Sequence, residues 1–508
     1  VLAGCKNLSC SLLYLAMGGM DMSLISVSHL TFGYEGSYDM IFEDASFLLD
    51  TDWKLGLIGR NGRGKTTLLK LLMGEYSYSG KIVTDAVFDY FPFSPPDLSA
   101  PALDVAGMVC RDYEYWQLVR ELSLLQVDEE VLHRPFGTLS PGERTKVLLA
   151  ALFLNENHFL LIDEPTNHLD TAGRRLLGDY LAGKKGFILA SHDRAFLDRC
   201  TDHILAINRS DIQVRKGNFS AWWEDKCRQD RLELEQNQRL KGEIRRLDQS
   251  ARQKAIWSDR VEKSKTGAAD KGYVGHKAAK MMKRAKAVES RRTQAVQEKE
   301  KLLKNIEKVD PLALHPLRYH SDLLVRLEDV SVYYGENRAL GPVSLSVERG
   351  ERVALRGKNG CGKSTLLKLI QRAPLAHDGS LFLPAGIILS TVPQDFSFLQ
   401  GDLRDFARNA DLEESLFKAI LRKLEFSRTQ FDKQMQYFSA GQKKKVLLAK
   451  SLCQSAHLYL WDEPLNYIDL FSRMQIEQLI LEYEPTLLFV EHDEAFTQKI
   501  ATRIVELE

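Results

Sequence analysis

The sequence predicts a doubled α/β architecture: two mostly parallel sheets covered by helices and joined by a long two-helix hairpin. Three observations predict it. Short motifs recur at a nearly constant spacing. In both halves, short apolar runs alternate with helix-like segments. The stretch between the halves is long, periodic and strongly charged.

The repeat comes first. Ile58-Gly59-Arg60-Asn61-Gly62-Arg63-Gly64-Lys65-Thr66-Thr67 returns as Arg356-Gly357-Lys358-Asn359-Gly360-Cys361-Gly362-Lys363-Ser364-Thr365. Leu161-Ile162-Asp163-Glu164-Pro165 returns as Leu460-Trp461-Asp462-Glu463-Pro464, and Ser191-His192-Asp193 as Glu491-His492-Asp493. The offsets lie between 298 and 300 residues, which marks a duplicated domain. The expected boundaries are 22–221 for the first domain, 222–322 for the linker and 323–508 for the second domain.

Residues 1–21 read differently. Leu2-Ala3-Gly4-Cys5 has the form of a lipoprotein box, yet no apolar stretch precedes it, and Ser11–Ala16 is too short for a signal core. A disordered leader or a mis-assigned start is expected over residues 1–21, with initiation at Met20 or Met22. The 7 cysteines are scattered without metal spacing, which points to a reducing, cytosolic setting. No apolar run reaches the length of a membrane span.

Between the halves, residues 226–308 hold 24 Lys and Arg against 12 Asp and Glu, in a chain whose totals are 69 and 69. Neutrality therefore conceals a basic insert between acidic domains. Leu240, Ile244, Leu247 and Ala251 have helical spacing, and Met281, Ala285, Val288, Ala295, Leu302, Ile306 and Val309 follow a heptad-like pattern. Gly267, Gly272 and Gly275 interrupt them, placing a tip at about 263–276 that includes Lys265, Tyr273 and His276. Roughly 40 helical residues reach ~60 Å. Lys277, Lys280, Lys283, Arg284, Lys286, Arg291 and Arg292 concentrate after the tip, opposed by Glu289 alone. A solvated spacer would interleave its signs, so nucleic-acid contact is the favoured reading. Tyr273 or His276 could stack on a base; an ordinary flexible loop is nearly as good an account.

The chemistry follows from the repeated motifs. Both glycine loops match G-x-x-x-x-G-K-[ST] between a strand and an apolar helix. Gly59, Asn61, Gly62 and Gly64, like Gly357, Asn359, Gly360 and Gly362, let backbone amides surround phosphates at a helix N-terminus. Lys65 and Lys363 would neutralise phosphate oxygens. Thr66 and Ser364, followed by Thr67 and Thr365, offer hydroxyls to Mg2+ and phosphate. Asp163 and Asp462 close apolar strands, where each can hold magnesium. Glu164 and Glu463 come next, placed to polarise water. His192 and His492 recur in register, which raises them above isolated core histidines. The expected cofactors are ATP and Mg2+.

Leu139-Ser140-Pro141-Gly142-Glu143 and Phe438-Ser439-Ala440-Gly441-Gln442 resemble the L-S-G-G-[EQ] signature of ATP-binding-cassette (ABC) proteins. The resemblance implies two tandem ABC-type P-loop ATPase domains joined by an α-hairpin linker, closing head to tail within one monomer. Ser140, Gly142 and Glu143 would then meet Lys363, and Ser439, Gly441 and Gln442 would meet Lys65. Tyr34 and Tyr334 match the adenine-stacking aromatic, although core roles stay open, and Gln394 matches a magnesium-linked glutamine. Phe93 stands where the first domain should carry that glutamine, which implies slower hydrolysis at the Lys65 site. Pro141 and Ala440 replace a signature glycine, and Leu465-Asn466-Tyr467-Ile468-Asp469 departs from Thr166-Asn167-His168-Leu169-Asp170.

Two cassettes around a charged helical linker resemble the F subfamily, and within it the antibiotic-resistance members of the Lsa/Vga type. Asp52–Lys65, Trp461–Tyr467 and the Lys283-Arg284 region carry that likeness. It implies ATP-dependent binding at the exit site of the 70S ribosome, contacts to 23S rRNA and P-site tRNA, and displacement of lincosamides, streptogramin A compounds or pleuromutilins. It also implies a cytoplasmic, ribosome-associated protein with no membrane subunit. A housekeeping translation factor and the ATPase of a drug exporter remain alternatives. The first would leave drug susceptibility unchanged; the second would be recovered with membranes.

Overall fold

The computed structural model describes residues 24–34, 40–167, 169–208, 211–263, 312–507 and part of 280–296. In the first half, five strands run parallel in the order Val87–Phe91, His158–Asp163, Phe187–Ala190, Lys54–Gly59 and His203–Ile207. Ile212–Lys216 closes one edge antiparallel. The central strands are buried on both faces, which explains their unbroken apolar text. A three-stranded antiparallel sheet of Phe42–Asp50, Leu24–Phe32 and Ser79–Val83 covers the nucleotide side.

The second half repeats this plan. Leu389–Val392, Leu458–Asp462, Leu487–Val490, Arg352–Arg356 and Arg503–Glu506 are all parallel. Its antiparallel sheet is Asn337–Glu348, Leu323–Tyr334 and Ala376–Phe382. Each half has apolar clusters on the two faces of its sheet.

The halves also share material. Leu470 and Phe471, from the second half, are buried in the first half's cluster. Phe471 lies 5.9 Å from the Trp223 ring and 5.3 Å beneath the Arg60 guanidinium. Arg194 pairs with Glu477, Arg60 with Glu425 and Arg175 with Glu494 across the same junction.

The arm begins as one helix, Phe219–Lys263, of 45 residues, about 68 Å at helical rise. Its root carries buried Phe219 and Trp222, which belong to the first domain's core. Leu240, Ile244 and Leu247 form a half-buried stripe among exposed neighbours. Residues 286–291 are helical, and Lys280, Lys283, Lys286 and Arg291 are exposed. Lys265, Tyr273, His276, Lys277, Arg284 and Arg292 lie outside the described residues, as do residues 1–21 and His168. Among the described residues, no helix is long and apolar enough to cross a membrane.

Candidate nucleotide sites

Each glycine loop turns directly into a helix, Lys65–Leu72 or Lys363–Ile370. Gly64 and Gly362 cap these helices at φ of 92° and 97°. A Cβ on Gly64 would meet Ile41 at 2.5 Å, and one on Gly362 would meet the Ala339 carbonyl at 2.5 Å. Glycine is required by both conformation and space. Lys65 Nζ donates to the carbonyls of Gly59 at 2.8 Å and Arg60 at 3.3 Å, and to Asn61 Oδ1 at 3.3 Å. Lys363 Nζ donates to the carbonyls of Gly357 at 2.8 Å and Lys358 at 2.7 Å. The two ammonium groups are thus folded over the cradle that a phosphate would occupy.

Strand register brings the catalytic candidates together. Asp163 aligns with Ala190 and Asp462 with Val490, so each Asp-Glu pair sits beside the chain leading to its histidine. Glu164 N–H donates to the Ala190 carbonyl at 2.9 Å, and Glu463 N–H to that of Val490 at 3.0 Å. Both glutamates have left-handed backbone, φ 49° and 46°, an uncommon state for side-chain-bearing residues that is concentrated at functional sites. His192 Nε2 lies 3.4 Å from Glu164 Oε1, and His492 Nε2 lies 3.5 Å from Glu463 Oε1.

The charge environments differ. Burial, and then Asp163, pushes the Glu164 carboxyl up to about 7. Burial also acts to raise Glu463, but His492, Gln394 and Lys444 hold it below the usual carboxylate range. Burial, with Lys65 and Arg473 nearby, drives the His192 imidazole well below its ordinary value. Thr66 Oγ1 donates to Asp163 Oδ2 at 2.6 Å, and Tyr90 OH donates to the same oxygen at 3.2 Å. In the second half, Ser364 Oγ donates to Gln394 Oε1 at 3.5 Å.

The signature segments are helix N-termini. Ser140 caps Pro141–Leu152, accepting from Glu143 N–H at 3.2 Å while its own N–H donates to Glu143 Oε2 at 2.7 Å. Ser439 and Gln442 do the same for Ala440–Cys453, at 3.3 and 3.0 Å. Pro141 and Ala440, the departures from the signature, therefore stand at the first helical position. That position needs no amide hydrogen bond and tolerates proline. The glycine kept after them has a role: a Cβ on Gly441 would meet the Tyr467 carbonyl at 2.6 Å.

A cleft of about 980 Å³ is walled by Ser140, Gly142 and Glu143 on one side and by Lys363, Ser364 and Gln394 on the other. At the opposite junction, Asn61 Nδ2 donates to the Tyr467 carbonyl at 3.0 Å, and Asn61 lies against Gly441. Tyr34 and Tyr334 are 44% and 48% exposed, which leaves ring surface available for stacking; Tyr34 also hydrogen-bonds Thr67 at 2.8 Å.

The donor set suits a nucleotide-bound magnesium ion. Asp462 Oδ1 and Glu164 Oε1 are buried without a hydrogen-bond partner among the described residues. No cluster of three or more metal-ligating side chains occurs among the described residues. One carboxylate, one hydroxyl and, in the second half, Gln394 would hold the ion while phosphates supplied the rest, as magnesium prefers. When bound, it would offset charge on the phosphate oxygens.

This fold and these paired sites define an ATPase with two tandem ATP-binding-cassette domains. The family described as "ABC transporter" matches residues 42–167 and 340–466. The chain is similar to the probable ATP-binding protein YheS of Escherichia coli K12, 29% identical over 89% of this chain and 74% of that protein. It is 28% identical to the ribosome protection protein VmlR of Bacillus subtilis, over 92% of this chain and 84% of VmlR. Among solved structures, RNase-L Inhibitor shares the fold, with TM-score 0.62 and 18% identity over 94% and 87% of the two chains. The chain is a tandem cassette ATPase of the ABC-F type.

Several site residues were not singled out by motif reading. Tyr90 takes a place on Asp163 that no motif announced. Glu491 stands where the first half has Ser191, and its Oε1 accepts Leu465 N–H at 2.7 Å, anchoring the divergent loop. Lys444 and Thr145 differ at matching positions of the two signature helices. Laying one half of the repeat over the other would have exposed all three differences.

Proposed function

We propose that this ATPase is a ribosome-protection factor of the Lsa/Vga type. In this reading it enters the exit site of the 70S ribosome with ATP bound in both cassettes and lays its basic arm along 23S rRNA and P-site tRNA. The tip then displaces lincosamides, streptogramin A compounds or pleuromutilins from the peptidyl-transferase centre. The protein acts in the cytoplasm as a monomer, without a membrane subunit.

The observation that carries this reading is a basic arm rooted in the junction of the two cassettes. Trp223 at the root touches Phe471, which also lies beneath Arg60 in the first glycine loop. Closure on nucleotide thus bears directly on the arm's angle. In the reading, Ser140 and Ser439 each complete the opposite pocket, Asp163 and Asp462 hold magnesium, and Glu164 and Glu463 activate water with His192 and His492. The exposed Lys280, Lys283, Lys286 and Arg291 meet RNA phosphates, which position the arm without reading sequence. VmlR, by its name a ribosome protection protein, supports the choice.

The test uses the Glu164→Gln, Glu463→Gln double variant, expressed in bacteria and sedimented through sucrose with ATP. It should travel with 70S ribosomes, and the unaltered protein should raise the inhibitory concentration of at least one of the three drug classes. Recovery with membranes or DNA overturns the ribosomal reading. Ribosome binding with unchanged susceptibility to all three classes favours a housekeeping translation factor.

A further inference from the structure

Lys444 is 1% exposed, an unusual state for a lysine, and it lines the wall of the Lys363 cleft beside Glu463, Gln394 and His492. Its Nζ donates to the Pro393 carbonyl at 2.9 Å and to the Asp462 carbonyl at 3.0 Å. These carbonyls come from the two segments that present the magnesium-side groups: Pro393 immediately precedes Gln394, and Asp462 immediately precedes Glu463. The parallel ladder between these segments ends one residue earlier, at Val392 and Trp461. Lys444 bridges the strands at the point where backbone pairing stops. Its charge also faces the buried carboxylates of Asp462 and Glu491 and the partly buried one of Glu463.

The first cassette lacks this bridge. Thr145 holds the matching position, and its hydroxyl donates to Pro141 within its own helix at 3.1 Å. Its ladder ends in the same way, at Phe91 and Ile162, followed by Pro92 and Phe93, and among the described residues no side-chain cation joins the segments.

We propose that Lys444 is a positioning residue for hydrolysis at the Lys363 site, joining the Gln394 segment to the Asp462-Glu463 strand end and neutralising the carboxylates gathered there. It touches the backbone that carries the reacting groups and acts through them. The Lys65 site, with Thr145 in its place, has no such support.

The test replaces Lys444 in the full-length chain and follows ATP turnover, ATP binding and thermal unfolding together. Lys444→Thr copies the first cassette's residue; Lys444→Met keeps the length of the buried stem; Lys444→Arg keeps the charge and can reach carbonyls. Total kcat should fall on the order of 10- to 100-fold in the Thr and Met variants, the scale of a displaced catalytic group. KM for ATP should stay within about threefold, since the phosphate cradle is untouched. Lys444→Arg should recover a large part of the lost kcat. Equilibrium ATP binding in EDTA should match the parent, while the tightening produced by added magnesium should shrink. A kcat within about twofold of the parent in Thr or Met would overturn the proposal. So would parallel losses in kcat, metal-free binding and unfolding temperature, or Thr and Met variants that fail to fold while Arg folds, because these report a structural role alone.

Discussion

The two nucleotide sites are built on one backbone plan and differ in the charge placed around it. At the Lys65 site, the magnesium-side aspartate is held by neutral hydroxyls, those of Thr66 and Tyr90, and Phe93 occupies the glutamine position. At the Lys363 site, Ser364 donates to the Gln394 amide oxygen, and the buried ammonium of Lys444 bonds the backbone carbonyl of Asp462. The glutamates differ as well: burial and then Asp163 push Glu164 up, whereas His492, with Gln394 and Lys444, holds Glu463 down. An ionised carboxylate can accept a proton from water, and near neutral pH Glu463 is the more fully ionised of the two. We propose from this difference a division of duties in which the Lys363 site turns over most of the ATP and the Lys65 site hydrolyses it more slowly.

The largest test of this division is a pair of glutamate variants. Glu463→Gln should reduce steady-state turnover by on the order of 10²–10⁴, the range associated with loss of a general base. Glu164→Gln should cost less than about threefold, because the slower site contributes little to the total. Equal losses break the division.

The contacts that hold the cassettes together show a similar asymmetry. Arg194 pairs with a Glu477 that is 0% exposed, whereas Arg175, the cation of the matching contact, is 54% exposed. Arg194→Ala should destabilise the protein by about 3 kcal/mol, at the low end for breaking a buried pair because Lys499 still holds Glu477 at 3.0 Å. Arg175→Ala should cost no more than about 1 kcal/mol, as exposed pairs do. Denaturant melts of the two variants measure both. Ser140→Arg sharpens the comparison further by putting a guanidinium into the cleft with Lys363. Its ATPase loss should exceed that of Ser439→Arg, which obstructs the slower site.

How legible this was depends on the kind of residue. Gly64, Lys65, Asp163 and Glu164 were visible because phosphate binding fixes both residue type and spacing along a single turn or strand end. The doubled sheet was visible because fully buried strands must be written in apolar residues. Pro141 looked like a defect in the signature, and only its place at the first turn of a helix shows why it fits. Lys444 and Tyr90 were not legible as motif members, and Glu491, though it opens a repeated triplet, gave no sign of its role there. Each acts on a backbone or carboxylate group brought near by the sheet, and a lysine bound for the interior looks, in one dimension, like any surface cation.

The smallest expected effect tests the glutamine position alone. Phe93 lies at the edge of the first cassette's apolar cluster and lines a pocket of about 560 Å³ with Asp163, Glu164 and Arg144. Phe93→Gln would bring an amide to the side of Asp163 that now faces this pocket. It would also remove aromatic packing from a partly buried position, so a modest loss of stability should accompany any gain. Measured in the Glu463→Gln background, where the Lys65 site supplies the remaining turnover, the substitution should raise kcat about two- to threefold, equivalent to less than 1 kcal/mol of barrier. The gain should stay small because Thr145 still leaves the two segments unbridged. Adding Thr145→Lys to Phe93→Gln should therefore raise turnover beyond either change alone. If Phe93→Gln by itself brings the Lys65 site to the rate of the Lys363 site, glutamine is the whole difference and the surrounding charge is incidental.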